Sequence, residues 1–414
     1  MFAHVDADAF FASVLERRDP KLKGKPILAL GMGGGFVIAA SYPAKAKGVK
    51  TGMRLVEARK LCPEAYTIIS DFLESCVVSN DIEQILSKYC PRIEKTSIDE
   101  WYLDLKSCVG GVPKKSNEWA QQIQDEIKKS IDVSVSIGIA PTKLLAKMAG
   151  EYRKPAGITI VVINPEAVNS QLSIINYQFL SDRPAPAIPG IGSKRSLHAE
   201  SFNWRTAWDI ANAPKDIIKK LFGKPGLEMQ DELLGKPVFD VDDEPDPPKS
   251  ISRCRSFRAT KDEDQLFGYM LQHLTYCTLK MRTHNLACKE VMVWLRNDEY
   301  RHLGHPRKLP QLMDTEEQIL PYARWCFKRA HEANKAYTQA GIALMGLKQP
   351  GNTQYSLFDG PNSNNRSENV QKSLDKIRHR YGRDSIFRGR GLSVPRKKKS
   401  HTPDLYGGIK EMSK

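Results

Sequence analysis

The chain has 414 residues, 41% of them hydrophobic, and 63 Lys and Arg against 48 Asp and Glu give a net charge of +15. That length exceeds what one core usually holds, so two or more domains are expected. No apolar run approaches the ~18 residues of a membrane span, and eight Cys without a C-x-x-C pair argue against a zinc site or a disulfide framework.

Residues 2–8 alternate as a buried strand should, and "FFASVLERRDP" continues as a helix. The opening "MFAHVDADAF" has no basic leader and carries Asp6 and Asp8, so it does not read as a signal peptide, and a reducing cytoplasm is the expected compartment. "KPILAL" (25–30) and "GFVIAASY" (35–42) are short strands separated by "GMGGG". With no Lys-Ser/Thr after it, that glycine run is a hairpin turn rather than a P-loop. "SNDIEQILSKYC" (79–90) puts Ile82, Ile85, Leu86 and Tyr89 on one helical face, and "TSIDEWYLDL" (96–105) is strand-like yet sets Asp99 beside Glu100. "SNEWAQQIQDEIKKSI" (116–131) repeats Trp119, Ile123, Ile127 and Ile131 every four residues, with Ser116 as a cap. "DVSVSIGIA" (132–140) alternates as a half-buried strand, and "TKLLAKMAGEY" (142–152) is helical. This order predicts an α+β layer, a sheet with helices on one side, in which the strands around Asp6, around Asp99 and at 132–140 lie side by side.

From about residue 165 short helices surround "PAIPGIGSKRSLHAE" (186–200), and the acidic, Pro-rich "DVDDEPDPPKS" (240–250) is a linker. A second α+β unit follows, with strands at "KEVMVWLR" (289–296) and "AGIALMGL" (340–347). Residues 351–414 are polar and basic and are expected to be flexible. Charge divides along the same line. Residues 1–248 hold 32 basic and 32 acidic side chains, and the other 31 basic and 16 acidic ones fall in 249–414. A polyanion, nucleic acid first, is therefore expected at the C-terminal part.

Burying an ionised carboxylate is unfavourable unless a positive charge compensates. Asp6, Asp99 and Glu100 gathered at one sheet edge would repel one another and become stable with hard divalent cations between them. Such an oxygen-only set suits two Mg²⁺ ions ~3.5–4 Å apart, which activate a hydroxyl and neutralise a leaving pyrophosphate. On these residues alone a solvated turn at Asp99 and Glu100, with Asp6 at a strand end, stays open.

"VDADAFFASV", "AKAKGVKTGM" (44–53), "SIDEWYLDL" (97–105), "GIAPTKLLAKMA" (138–149) and "KPAG" (154–157) occur in the order found in Y-family translesion DNA polymerases, and the chain resembles that family from residue 1 to about 350. The resemblance implies a right-hand polymerase of α+β multidomain class: a ferredoxin-like palm (1–10 and 71–164), fingers (11–70), a helical thumb with a helix-hairpin-helix (165–239), the linker 240–250, an α+β little finger (251–350) and a flexible basic tail (351–414). It implies template-directed, error-prone translesion synthesis in DNA repair and the SOS response, by two-metal nucleotidyl transfer with Mg²⁺, Mn²⁺ being a substitute. Primer-template DNA and deoxynucleoside triphosphates would be the substrates, and no membrane is involved.

Position by position, Asp6, Asp99 and Glu100 match the family's catalytic metal-binding acids, and Ala7 matches the residue whose carbonyl meets the second metal. Asp8 and Asp104 match acids outside that set. Phe11 stands at the steric gate, whose ring would clash with a ribose 2′-hydroxyl, with Phe10 beside it packing on the nucleotide. Lys154 matches a triphosphate-binding base. Where many relatives hold the triphosphate with a Thr and an Arg, this chain has Ala39 and Lys45; Lys45 keeps the charge without the bidentate fork, and Tyr42 offers a phenol. The Ala-plus-Lys pair resembles the UmuC branch, the catalytic subunit of DNA polymerase V, more than the DinB branch.

"PGIGSKR" (189–195) has the Gly190–Gly192 turn of a helix-hairpin-helix, with backbone N–H groups for a DNA phosphate and Lys194 and Arg195 beside them. Arg253, Arg255 and Arg258 follow the linker, and the shared strand parity of Arg253 and Arg255 suggests that both face a phosphate backbone. Gln354, Leu357 and Phe358 in "QYSLFDG" resemble the peptide by which bacterial polymerases bind the β sliding clamp. "SLDKIRHRYGRDSIF" and "TPDLYGG" resemble UmuC-type tails, which makes UmuD-like and RecA-like proteins further candidate partners. Two other classes remain: a non-catalytic DNA- and clamp-binding accessory protein with a polymerase fold, which should lack an acid, and a nucleotide cyclase, against which the helix-hairpin-helix and basic second half argue.

Overall fold

The alternating N-terminal residues form β1 (Phe2–Ala7), which lies inside a six-stranded sheet rather than at its edge. The computed structural model describes residues 1–163, 173–244, 246–350 and 363–382, with a few single positions up to 394. They divide near residue 245 into two units.

In the first unit the sheet order is β5 (Ile93–Lys95), β6 (Glu100–Asp104), β1, β7 (Val135–Ala140), β8 (Ile158–Val162) and β9 (Ser173–Ile175). β1 runs antiparallel to β6 and β7, and β8 runs parallel to β7. α4 (Phe72–Tyr89) and α5 (Ser116–Ile131) cover one face, where Ile82, Leu86, Ile123 and Ile127 meet Ala3, Val5, Ile137 and Ile139 in one core. Ser116 does not cap α5; it is the first helical residue, and its hydroxyl donates to the Pro113 carbonyl at 2.8 Å.

The opposite face is also covered, which corrects the expectation of helices on one side and of a half-exposed β7. α6 (Lys143–Gly150) packs there, burying Leu145, Met148 and Ala149 with Phe2 and Tyr102. The close approach depends on Gly138 of β7, where a Cβ would lie 2.1 Å from the Ala146 carbonyl oxygen and 2.2 Å from the Gly150 nitrogen.

A three-stranded sheet, β3 (Val37–Ala40), β2 (Ile27–Leu30) and β4 (Tyr66–Ile69), occupies the segment expected to form fingers. Gly34, at φ 67, turns the chain between β2 and β3. α1 (Phe10–Arg18) links the two sheets: Phe10 and Val14 join the core of the larger one, while Ala12 and Leu15 pack on Ile27, Ala29 and Ala39 of the smaller. The other face of the small sheet is closed by α2 (Tyr42–Ala46) and α3 (Leu55–Leu61) through Ala44 and Ala58.

Four helices follow on the α6 side: α7 (Asn176–Asp182), α8 (Ser193–Ser201), α9 (Ala207–Ala211) and α10 (Lys215–Leu233), the last broken at Gly223 with φ 68. The start of the acidic stretch is no free linker. Val241 is buried, and the Arg92 guanidinium donates to its carbonyl at 2.7 Å and to Asp243 at 3.1 Å.

The second unit is an antiparallel sheet in the order β10 (Ser250–Thr260), β13 (Tyr337–Met345), β11 (Cys288–Asn297) and β12 (His302–Met313), with α11 (Glu263–Thr283) and α12 (Glu316–Ala330) sharing its core. Part of the tail expected to be flexible is a helix, α13 (Ser363–Tyr381), and it docks through charge. Arg378 and Glu316 pair at 2.7 Å with side chains only 2% and 3% exposed. Arg282 grips Asp375 with two bonds of 2.7 and 2.9 Å. All eight cysteines are free thiols, and among the described residues no helix is long and apolar enough to cross a membrane.

Gly138→Ala is expected to unseat α6 and destabilise the protein by ~3 kcal/mol or more, read as a shift of the denaturant midpoint; a change below ~1 kcal/mol would contradict the tight seat. Arg378→Ala leaves Glu316 short of counter-charge, at a cost of about 3 kcal/mol. Limited trypsin digestion should then cut within α13 well before the rest of the second unit, whereas an unchanged digestion pattern would show that charge does not hold the helix.

Candidate active site

The pairing of β1 with β6 sets Asp6 opposite Glu100, His4 opposite Tyr102 and Phe2 opposite Asp104. Because side chains alternate along a strand, these residues share the face that α6 covers, away from α4 and α5. Asp99 stands one residue before β6, its carbonyl accepting from the Ala7 N–H at 2.9 Å and its carboxylate from the Ser97 hydroxyl.

Two lysines meet the facing acids. The Lys154 ammonium lies 2.5 Å from Asp6, and the Lys147 ammonium of α6 lies 2.5 Å from Glu100. One turn earlier in α6, Lys143 pairs with Glu94. Asp6 is 7% exposed. Burial pushes its carboxyl up to about 7 in spite of Lys154, and Glu100 and Asp99 push the same way. Burial, then Lys147 and Lys154, hold the His4 imidazole well below its ordinary value, so the ring is neutral.

One His4 nitrogen and the carboxylate oxygens of Asp6 and Glu100 lie within 4.8 Å of one another. The expected set of Asp6, Asp99 and Glu100 is therefore brought together in part: Asp99 is near enough to act on Asp6, while His4, which no part of the sequence reading singled out, joins Asp6 and Glu100 in a group able to hold a metal ion. The carboxylates, with the Ala7 backbone beside them, are the donors a hard divalent cation takes. The two ammoniums resting on Asp6 and Glu100 mark where that negative charge demands cations. These residues fit a divalent metal.

Asp8 and Asp104 do structural work. Asp8 accepts from the Ser136 hydroxyl and the Ala156 N–H, both at 2.8 Å, and from the Tyr42 hydroxyl at 3.2 Å. Asp104 accepts from the Lys106 N–H at 3.0 Å and pairs with Arg92 at 3.3 Å. The Tyr42 hydroxyl, expected to be free for a phosphate, is thus engaged, and burial followed by Asp8 pushes the phenol up. The Lys45 ammonium lies 4.6 Å over the Tyr42 ring, where burial and then Lys154 lower it. Tyr42, Lys45 and Lys154 therefore gather beside the acids. Ala39 is buried under α1.

Between β1 and α1, Ala9 turns the chain with φ 46, a left-handed conformation that disfavours a residue with a Cβ by roughly 1–2 kcal/mol. Past that turn, Phe11 is half-buried and edge-on to Phe72 at 5.3 Å. Phe10, 2% exposed, lies in the core and has no surface for a nucleotide.

The expected DNA contacts fare unevenly. Gly190, at φ 94, and Gly192 lie exposed in the turn ahead of α8, and Lys194 is exposed in the first turn of that helix. The Arg195 guanidinium donates to the Gly190 carbonyl at 2.9 Å and so braces the turn itself. Arg253 and Arg255 do share a face of β10, but it is the helix-covered one, with Ile251 and Phe257. Arg253 lies 4.1 Å over the Tyr276 ring and Arg255 lies 5.4 Å over Tyr269. Ser252, Cys254 and Ser256 take the open face, and Arg258 is exposed. Gln354, Leu357 and Phe358 lie outside the described residues.

Known families match on both sides of residue 245. Residues 5–151 match the impB/mucB/samB family and residues 248–357 its C-terminal domain. DNA polymerase IV of Methanoculleus marisnigri is 33% identical over 322 residues, 76% of this chain and 86% of the relative. That of Moorella thermoacetica is 29% identical over 405 residues, 94% of this chain and 95% of the relative. Among solved structures, a Y-family DNA polymerase chimera aligns with TM-score 0.69 and 25% identity, covering 84% of this chain and 98% of the chimera. The chain belongs to the impB/mucB/samB family and is a Y-family, DNA-directed DNA polymerase of the translesion type.

Proposed function

We propose that this polymerase extends a primer past damaged template by two-metal nucleotidyl transfer with Mg²⁺, Mn²⁺ being able to replace it, as part of an SOS-type damage response. The observation that carries the reading is Asp6 facing Glu100 in register, with Asp99 alongside and a lysine ammonium on each of the facing pair. Asp6, Asp99, Glu100 and the Ala7 carbonyl would hold the ions. Bound there, divalent ions would make the primer 3′-hydroxyl more acidic and would neutralise the triphosphate and the departing pyrophosphate.

The remaining groups bind and orient. Lys154 exchanges Asp6 for the triphosphate, a task that a compact point charge on a flexible stem suits. Lys45 adds a second charge from above the Tyr42 ring, and Tyr42, anchored on Asp8, fixes that ring. Phe11 lies against the sugar and excludes a 2′-hydroxyl, supported from the core by Phe10.

The six-stranded sheet would be the palm, the three-stranded sheet the fingers, α7 to α10 the thumb and the second unit the little finger. Gly190, Gly192 and Lys194 would meet DNA phosphates without reading bases, as would Arg258 within the basic excess of 249–414. Gln354, Leu357 and Phe358 would engage a β clamp. The UmuC-like placement, with UmuD-like and RecA-like partners, rests on Ala39, Lys45 and the tail.

Primer extension opposite an abasic site separates the outcomes. Asp99→Ala should lower the rate by roughly 10²–10³-fold or more, and equal extension by both proteins would end the assignment of Asp99. Phe11→Ala should raise ribonucleotide insertion relative to deoxynucleotide insertion; an unchanged ratio discards the gate.

A further inference from the structure

His4 is fully buried, and neither ring nitrogen has a hydrogen-bonding partner among the described residues. Two orphaned ring nitrogens in an interior are unfavourable, and polar groups left so are uncommon. The ring is held from two sides. Tyr102 lies 4.8 Å away between centroids, and the Gly150 backbone is so close that a Cβ there would sit 3.1 Å from Nδ1. The strand pleat places His4 on the same face as Asp6, and Glu100 comes from the neighbouring strand.

We propose that His4, Asp6 and Glu100 form a site for a divalent transition-metal ion such as Co²⁺, Cu²⁺ or Zn²⁺, one that adds an imidazole nitrogen to the two carboxylates and leaves Asp99 out. The inference shares two acids with the polymerase reading above but needs neither DNA nor nucleotide. Imidazole is a poor ligand for Mg²⁺ and a good one for zinc and its neighbours, so the nitrogen discriminates between the classes of ion. Distance permits it. Donors ~2.0–2.2 Å from a tetrahedral ion sit ~3.3–3.6 Å apart, and these lie within 4.8 Å of one another, a gap that rotation of the two carboxylates can close. Charge permits it as well, because Lys147 and Lys154 now supply two positive charges to these acids and one divalent ion replaces both. An ion so held withdraws Asp6 and Glu100 from the oxygen-only set, so such metals should also compete with Mg²⁺ for the enzyme.

The test is Co²⁺ titration of the full chain without DNA or nucleotide, followed by visible absorption. Wild type should bind at least about tenfold more tightly than His4→Phe or Glu100→Gln, and Zn²⁺ should displace the signal. Equal affinity in a folded His4→Phe, or in Glu100→Gln, would overturn the site. Because a change at a buried histidine can unfold the protein, Cu²⁺-loaded wild type is also read by electron spin echo spectroscopy. Nitrogen modulation from a coordinated imidazole is expected, and its absence refutes the proposal without any variant. Asp99→Ala distinguishes the two readings. It should keep the Co²⁺ signal and lose primer extension; loss of extension with no nitrogen signal in wild type would sink the site and leave the polymerase reading standing.

Discussion

Two carboxylates directly across a strand pair repel, and the first unit is built around one such pair, Asp6 opposite Glu100. Cross-strand like charges destabilise a sheet, and here the pair faces a helix rather than water. What makes it tenable is cation supply from that side: Lys147 from α6 and Lys154 from the loop after it. An acid pair that already needs two ammoniums is one from which divalent ions can take over, so under the proposed mechanism the contact that strains the fold also serves the chemistry.

Glycines make that supply possible. α6 delivers Lys147 because Gly138 lets its backbone sink onto β7, and Gly150 keeps the same helix clear of His4. In the following loop a Cβ on Gly157 would lie 1.9 Å from the Arg153 carbonyl oxygen, so the tight bend that carries Lys154 and the Ala156 N–H to Asp6 and Asp8 also depends on a missing side chain. Packing density and site charge are two results of one close approach.

Much of this was legible in the sequence, and the failures have physical reasons. Alternation and helical spacing found β1, β7, α4 and α5, and the adjacency of the Asp6, Asp99 and 132–140 segments. The reading of β7 as half-exposed failed because a glycine cannot announce which side is closed. β12 went unread because Pro306 and Pro310 suggest no strand; it is an edge strand bonded only to β11, where prolines are tolerated. His4 was invisible because a lone histidine in an apolar strand looks like core, although its parity with Asp6 was available. Lys147 carried a fainter signal, four residues after Lys143 on one face of α6. Arg253 and Arg255 share one face, as their parity says, but parity alone does not say that the helices cover that face. α13 was missed because its docking face is polar: Gln371, Asp375 and Arg378 turn inward while Val370, Ile377 and Tyr381 stay exposed.

That helix completes a contrast between the units. Each holds buried or half-buried carboxylates against cations from a neighbouring element, but the cations differ. Glu316 and Asp375 are held by arginines, whose planar fork makes bidentate bonds such as those from Arg282 and remains charged in any environment. Asp6 and Glu100 are held by lysines, single point charges on flexible stems that can swing to another anion. An arginine clamp resists exchange, which suits a docked helix. A lysine clamp invites it, which suits the exchange of metal ions and a triphosphate proposed for this site.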